Sequence, residues 1–374
     1  MNTLSPSSIW LSFGICLLVG LVTLDQTRGG PVTTLTRCNF LLSRSVLPAA
    51  DVVLIGSSRS GAALDSKAIE GMLSHSLKDP TLTVERFAIA RNTYRLSHSI
   101  LENYLRNRGK PKLVVIELMS MSHRTISKLQ QENIKLLPEY SLYQRDVNLM
   151  TFAQISNSAA VSMPYTESET AINKLRFKLQ GLVTRAGALT YQFAKHPLDH
   201  WSTEGCSQED MRREPNWPSG LYFGFDSTGK SRSPSSVIED VHTDFKNRPK
   251  ENQTTVSDTS QAQETYRYDF EKIFRSGEMI ILESMVNFLT KANVPVILLP
   301  LPLNGQLVDN QELKELNKRW PHVHTFDILS QAGPLLDHFW FDDAHLAPNT
   351  GGTLTSAIFS QYVMDNNYLN SGLE

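Results

Sequence analysis

Residues 51–62 read DVVLIGSSRSGA, and the pattern of these residues is the clearest indication of the fold class. The run Asp51 to Ile55 is apolar after its first residue and stops at Gly56, where two serines follow. Continuous apolar runs of this kind suit strands of a parallel sheet that is covered on both faces. The stretch therefore predicts a buried first strand that ends in a serine-rich turn leading into a helix.

Similar apolar runs recur along the chain, and segments with helical spacing separate them. The further predicted strands are Val84 to Ile89, Leu113 to Leu118, Val294 to Leu299 and His322 to Phe326. Helices are predicted in three places by the same spacing rule: from Leu96 to Arg108, from Met279 to Leu289, and after the turn at Pro348 to Gly352. Strands that alternate with helices indicate an α/β fold with a doubly wound parallel sheet.

The pattern falls into two halves, residues 45–125 and 265–368, with a long insertion at residues 126–264. Within the insertion, Leu175 to Leu189 has helical character. The part from Ser202 to Gln263 is rich in Ser, Pro, Gly, Asp and Lys, and we expect it to be a loop or partly disordered. A sugar-binding groove or small packing clusters could be formed by the tryptophan just before this part and the aromatic residues within it: Trp201, and Trp217, Tyr222 and Phe223.

Residues 1–28 contain an uncharged apolar run from Ile9 to Leu24. Its length lies between a signal-peptide core and a membrane span of about 20 residues. No Ala-x-Ala cleavage site follows it, so we expect an N-terminal membrane helix that anchors the chain. A cleaved signal and a buried helix are the alternatives. The short N-terminal tail, together with the enzyme class considered below, favours an extracytoplasmic location for the rest of the chain.

The chain carries three cysteines and a formal net charge of −2. Outside the cytoplasm Cys38 and Cys206 could pair, whereas Cys16 is expected to face lipid or a core. No Cys-x-x-Cys occurs, which argues against a zinc ribbon or a redox motif, and we predict no cofactor. The small net charge and the lack of a Lys/Arg cluster argue against a nucleic-acid partner.

Ser58 directly follows the first predicted strand, where ligands bind in open α/β sheets. A serine at the start of a helix has backbone N–H groups beside it that favour a developing anion, although serine is also a common helix N-cap. Near the C-terminus, the sequence FDDAHLAPNTGG places Asp342 and His345 three residues apart, just before a helix. That spacing lets a carboxylate orient an imidazole, so the three residues are candidates for a catalytic triad.

Gly-x-Ser after the first strand, combined with Asp-x-x-His before the last helix, resembles the SGNH (GDSL-like) hydrolase superfamily. The chain is similar to its membrane-anchored branch, which includes alginate O-acetylation proteins and the D-alanyl-lipoteichoic acid protein. The resemblance covers residues 50–125 and 265–365. It implies a flavodoxin-like fold, with Ser58 as nucleophile, Asp342 as orienting acid and His345 as base. It also implies ester hydrolysis or acyl transfer on a cell-surface or secreted glycan, with a membrane-bound acyl-donor protein as a further partner.

The same resemblance implies an oxyanion hole built from three donors. The family supplies the N–H of the nucleophilic serine, here Ser58, and a glycine after the second strand, where this chain has Asn92. The family's third donor is an asparagine after the third strand. This chain has none in E-L-M-S-M-S-H, so Ser120 or Ser122 is the expected substitute.

Three other interpretations remain open from the sequence. An α/β-hydrolase also orders its triad Ser, Asp, His, but its Gly-x-Ser-x-Gly elbow requires a glycine where this chain has Ser60. A non-catalytic glycan-binding or assembly subunit with the same fold would tolerate the altered oxyanion positions. A metal-dependent hydrolase could use a cluster of potential ligands: His322, His324, His338, Asp342, Asp343 and His345.

Overall fold

The computed structural model describes residues 42–89, 92–118, 171–195, 232–247, 277–301, 310–333 and 351–369. It also describes isolated residues between these ranges: 12, 15–16, 19–20, 38–39, 155–156, 265–266, 307–308, 339–340 and 345–346. Strands and helices alternate along the described chain, so the α/β class predicted from the sequence is confirmed.

Five parallel strands form one sheet, in the order β2-β1-β3-β4-β5. Their bounds are β1 (Val52–Gly56), β2 (Val84–Ala88), β3 (Leu113–Leu118), β4 (Val296–Pro300) and β5 (Val323–Thr325). This is the strand order of flavodoxin, in which the ligand lies at the carboxyl ends of β1 and β3. Two further strands of two residues each, Thr265–Tyr266 and Leu307–Val308, pair in parallel outside this sheet.

Helices cover both faces of the sheet. Their bounds are α1 (Ser58–Ala63), α2 (Ser66–Leu77), α3 (Tyr94–Asn107), α4 (Ala171–Lys195), α5 (Pro234–Asn247), α6 (Gly277–Lys291), α7 (Asn310–Arg319), α8 (Ile328–Ala332) and α9 (Thr353–Asp365). On one face Val53 and Ile55 pack with residues of α3, α6 and α7. On the other face Val52 and Leu54 pack with residues of α2, α5, α8 and α9. This alternation follows from the two-residue period of a strand.

The insertion contains a helix that was predicted to be loop or disordered. Helix α5 lies within Ser202 to Gln263, and its Val237 and Val241 are fully buried in the sheet's second core. Ser233 caps its first turn by accepting a hydrogen bond from the Ser236 N–H at 3.3 Å. Pro234 occupies the first helical position, where its missing N–H costs nothing. The segment is polar overall, but Val237 and Val241 give the helix one apolar stripe, which packs in the core.

The predicted membrane helix falls mainly outside the described residues. Within the part of the chain that the structure describes, no helix is both long and apolar enough to cross a membrane. Cys16 is free and exposed, and Cys38 is disulfide-bonded. Cys206, which the sequence analysis considered as a partner for Cys38, lies outside the described residues.

Candidate active site

Ser58 is the first residue of α1, directly after the turn that ends β1. Ser57 is the N-cap of this helix and has an extended backbone, and its hydroxyl accepts a hydrogen bond from the Arg59 N–H at 3.2 Å. The Ser57 carbonyl accepts from the Ser60 hydroxyl at 2.8 Å and from the Gly61 N–H at 3.1 Å. The chain therefore turns sharply at the carboxyl end of β1, and Ser58 is half-buried there.

The segment that carries His345 reaches Ser58 because α9 is attached to the end of α1. The Ser356 hydroxyl accepts a hydrogen bond from the Asp65 N–H at 2.8 Å, and the Thr355 hydroxyl donates to the Ala63 carbonyl. Next to His345, Leu346 is buried and forms an antiparallel bridge with Trp340. The start of α9 thus brings the preceding segment to the carboxyl edge of the sheet.

Ser58 and His345 meet at this edge. The Ser58 Oγ and His345 Nε2 atoms lie 2.9 Å apart, although 287 positions separate the two residues in the sequence. Both residues are half-buried, so the pair is accessible. When His345 is in the neutral tautomer with its proton on Nδ1, the serine hydroxyl donates to Nε2. This is the arrangement in which an imidazole removes the proton of an attacking hydroxyl.

Asn92 lies near this edge, but its backbone N–H and its side-chain amide already donate to other groups of the protein. Its backbone N–H donates to the Ile89 carbonyl at 3.0 Å. Its side-chain amide donates to the Gly56 carbonyl at 2.9 Å and to the Ser97 hydroxyl at 2.8 Å. The oxyanion role expected for the Asn92 N–H does not fit this geometry, and the residue instead holds the end of β1. The predicted residues Asp342, Ser120 and Ser122 lie outside the described residues.

A buried carboxylate that the sequence reasoning missed lies beneath the Ser58 turn. Glu117, on β3, has a side chain with no exposed surface. Its Oε2 accepts from the Ser57 N–H at 2.6 Å, and its Oε1 accepts from the Ser57 hydroxyl at 2.8 Å. The Arg59 guanidinium lies 3.1 Å from Oε1 and also donates to the Leu301 carbonyl at 2.8 Å. A charged residue inside the apolar run LVVIEL was the available signal, because a buried carboxylate requires partners.

The other candidates from the sequence are not assembled into a site by the described residues. His324 packs edge-on against the Tyr368 ring at 5.1 Å between centroids, and His322 is exposed. Among the described residues, no three His, Cys, Asp or Glu side chains lie close enough to hold a metal ion. Several residues of interest lie outside the described part: His338, Asp343, Trp201, Trp217, Tyr222 and Phe223.

Comparison with known proteins adds no relative: no protein-family model matches the chain, and no curated protein sequence matches it.

Proposed function

We propose that this protein is a serine esterase or O-acyltransferase whose nucleophile is Ser58 and whose general base is His345. The contact of 2.9 Å between Ser58 Oγ and His345 Nε2 carries the proposal. The position of the pair at the carboxyl end of β1 is where a flavodoxin-like sheet binds its ligand. The resemblance to the SGNH superfamily supports the same assignment of both residues.

In the first half of the reaction, His345 accepts the Ser58 hydroxyl proton as Oγ attacks the carbonyl carbon of an ester. The tetrahedral intermediate collapses when its bond to the alkoxide breaks, and the imidazolium returns the proton to that leaving group. The acyl group remains on Ser58 as an ester. In the second half, His345 deprotonates a water or a sugar hydroxyl, which attacks the acyl-enzyme. The bond from the acyl carbon to Ser58 Oγ then breaks, and the imidazolium returns the proton to Oγ.

Two supporting groups complete the proposal. Asp342 is proposed as the carboxylate that holds the Nδ1 proton of His345 and stabilises the imidazolium. The Ser58 N–H is proposed as an oxyanion donor, since no acceptor among the described residues takes its hydrogen bond. A preorganised N–H of this kind is worth about 10²–10³ in rate.

Labelling with a serine-directed fluorophosphonate tests the assignment. We expect the probe to attach to Ser58 in the parent protein, and neither Ser58→Ala nor His345→Ala to be labelled at an appreciable rate. His75→Ala serves as the matched control, because His75 is an exposed histidine on α2 with no contact to the site. Labelling of a different serine, or equal labelling of the Ser58→Ala protein, would refute the proposal.

We further propose that the protein is anchored to a membrane and faces an extracytoplasmic compartment. The disulfide at Cys38 supports this location, since disulfides persist in oxidising compartments. The uncharged run from Ile9 to Leu24 supports the anchor. A reporter fused after Glu374 that is active only outside the cytoplasm is the expected result, and activity only inside it would contradict the location.

The proposed substrate is a cell-surface or secreted glycan carrying acyl esters. The proposal draws on the aromatic residues before and within the polar part of the insertion, because aromatic faces suit sugar rings. Deleting that whole part would also remove the core residues of α5, so substitution of Trp201 and Trp217 by Ala is the cleaner test. We expect a larger loss of activity on a polymeric glycan than on a small acetyl ester, and equal losses would contradict the substrate class.

A further inference from the structure

We propose that Glu117 is a positioning residue that holds the chain on both sides of Ser58 and thereby sets the direction of its hydroxyl. The inference rests on the proposed function, because it assigns to Glu117 the placement of the nucleophile. It adds a residue within β3 to a site for which the sequence motifs supply only residues that follow β1, β2 and β3 or precede α9.

The carboxylate acts on the two residues that flank Ser58. Ser57 gives it two hydrogen bonds, from its N–H at 2.6 Å and from its hydroxyl at 2.8 Å. Arg59 gives it an ion pair at 3.1 Å. The residue before the nucleophile and the residue after it are therefore bound to one rigid acceptor. Charge-assisted bonds of this kind are shorter and stronger than neutral ones, so they restrict the turn tightly.

The backbone is shaped to admit this carboxylate. A Cβ at Gly56 would lie 2.5 Å from the Glu117 Oε2 atom and 2.7 Å from its Cβ, and it would also clash with the Ser60 hydroxyl. No side chain fits at that position while Glu117 remains where it is. The glycine of the I-G-S-S turn is therefore needed because Glu117 on β3 approaches closely. A positive φ is not the reason, since the φ of Gly56 is not positive.

Stability alone does not account for a charge at this place. A buried ion pair is on balance no more stabilising than well-packed apolar residues of the same volume. The Arg59 guanidinium also donates to the Leu301 carbonyl at 2.8 Å, which ties the turn to the end of β4. The network thus connects the carboxyl ends of three neighbouring strands through the two residues that flank Ser58.

The chain offers a matched control for removal of the charge. Glu85 on β2 is also buried, and its Oε1 pairs with Arg108 at 2.6 Å. It lies opposite Val53, near the amino end of the strands and away from Ser58. Glu85→Gln removes a comparable buried charge from an ion pair without touching the nucleophile turn.

The experiment compares Glu117→Gln and Glu85→Gln in fluorophosphonate labelling of Ser58 and in hydrolysis of a small acetyl ester, each normalised to the folded fraction. Because a displacement of about 1 Å costs up to about 10²-fold in rate, we expect Glu117→Gln to lower the labelling rate and kcat by about 10- to 100-fold. KM should change little. Glu85→Gln should stay within about twofold of the parent in both assays, and Glu117→Asp, which keeps the charge, should recover part of the loss.

The outcomes separate this inference from the proposed function. A parent protein that is not labelled at Ser58 overturns both. Labelling of the parent with an equal rate for Glu117→Gln overturns the positioning role alone, and so does an equal loss in Glu85→Gln. If Glu117→Gln does not fold, Ser57→Ala replaces it. This variant keeps the ion pair and the bond from the Ser57 N–H to Glu117, and it removes the hydroxyl's bond to Glu117 together with its cap on the Arg59 N–H. A slower labelling rate in Ser57→Ala then supports the inference, and an unchanged rate overturns it.

Discussion

Two buried ion pairs join a strand glutamate to a helix-end arginine in this protein, and they lie at opposite edges of the same sheet. At the carboxyl edge, Glu117 pairs with Arg59 and with the residue before the candidate nucleophile. Near the amino edge, Glu85 pairs with Arg108 at 2.6 Å. The two pairs are chemically alike and similarly buried, but the groups around them differ.

The pair near the amino edge serves the chain that leads into β1. Arg108 donates to the Pro48 carbonyl at 2.8 Å and lies over the Tyr104 ring. The Tyr104 hydroxyl in turn accepts from the Ala50 N–H at 2.6 Å, and burial raises the pKa of that hydroxyl, which keeps it protonated. Similar buried charges therefore hold the chain before β1 near one edge and hold the turn that carries Ser58 at the other. Substitutions near the amino edge should therefore change the free energy of unfolding. Substitutions at the carboxyl edge should change activity.

The largest expected effect lies at the carboxyl edge and concerns activity alone. Ser58→Ala should lower the rate of acetyl-ester hydrolysis by about 10⁴–10⁶, the loss typical of removing a nucleophile from a triad. The midpoint of thermal unfolding should not change, since the Ser58 side chain makes one hydrogen bond in a half-buried position. A residual rate close to that of the parent would contradict the proposal that Ser58, at the carboxyl edge, is the nucleophile.

The next effect lies near the amino edge and concerns stability alone. Glu85→Ala should lower the free energy of unfolding by about 3–5 kcal/mol, because Arg108 loses its buried counter-ion. Lys112→Ala is the control at the same edge, as its pair with Asp51 has a lysine side chain that is 49% exposed. That change should cost no more than about 1 kcal/mol. Denaturant unfolding measures the loss of stability in both variants. A lower labelling rate at Ser58 in folded Glu85→Ala would contradict the prediction that this pair affects stability alone.

Gly56→Ala should affect stability and activity together, because the new methyl group meets Glu117 directly. Overpacking of this kind costs about 1–3 kcal/mol. The displaced carboxylate should also slow fluorophosphonate labelling of Ser58. Gly187→Ala in α4 is the control, since nothing lies within 4 Å of a Cβ built there. A stable Gly56→Ala protein with an unchanged labelling rate would show that the close approach has no consequence for the site.

The smallest effect concerns pH and His98, which is buried on α3. Burial lowers the pKa of His98, with Arg95 acting in the same direction and Glu102 opposing it. Below the ordinary value of 6.5 the unfolded chain binds a proton that the folded protein resists, so stability should fall as the pH falls below that value. His98→Gln should reduce the difference in unfolding midpoint between pH 7 and pH 5. Equal differences in parent and variant would exclude His98 as the cause.

Parts of the fold and site were accessible from sequence to different degrees. The five strands of the sheet were predicted within a few residues, because strands covered on both faces are mostly apolar, although β2 and β3 each carry a buried glutamate. Helix α5 was missed because its apolar stripe is short and its polar positions resemble a loop. Glu117 was missed because a charge inside the run LVVIEL shows that the residue needs partners but not which residues they are.

Local sequence patterns were enough to predict the α/β class, the serine turn after the first strand and the candidate pair Ser58 and His345. The tertiary structure was needed to show that Ser58 and His345 lie 2.9 Å apart, since the two residues are 287 positions apart and no local pattern signals their contact. It also decided that Asn92 uses its donors internally and that Glu117 faces the nucleophile turn. These contacts depend on strand order and register, which bring the ends of β1, β2 and β3 to one edge.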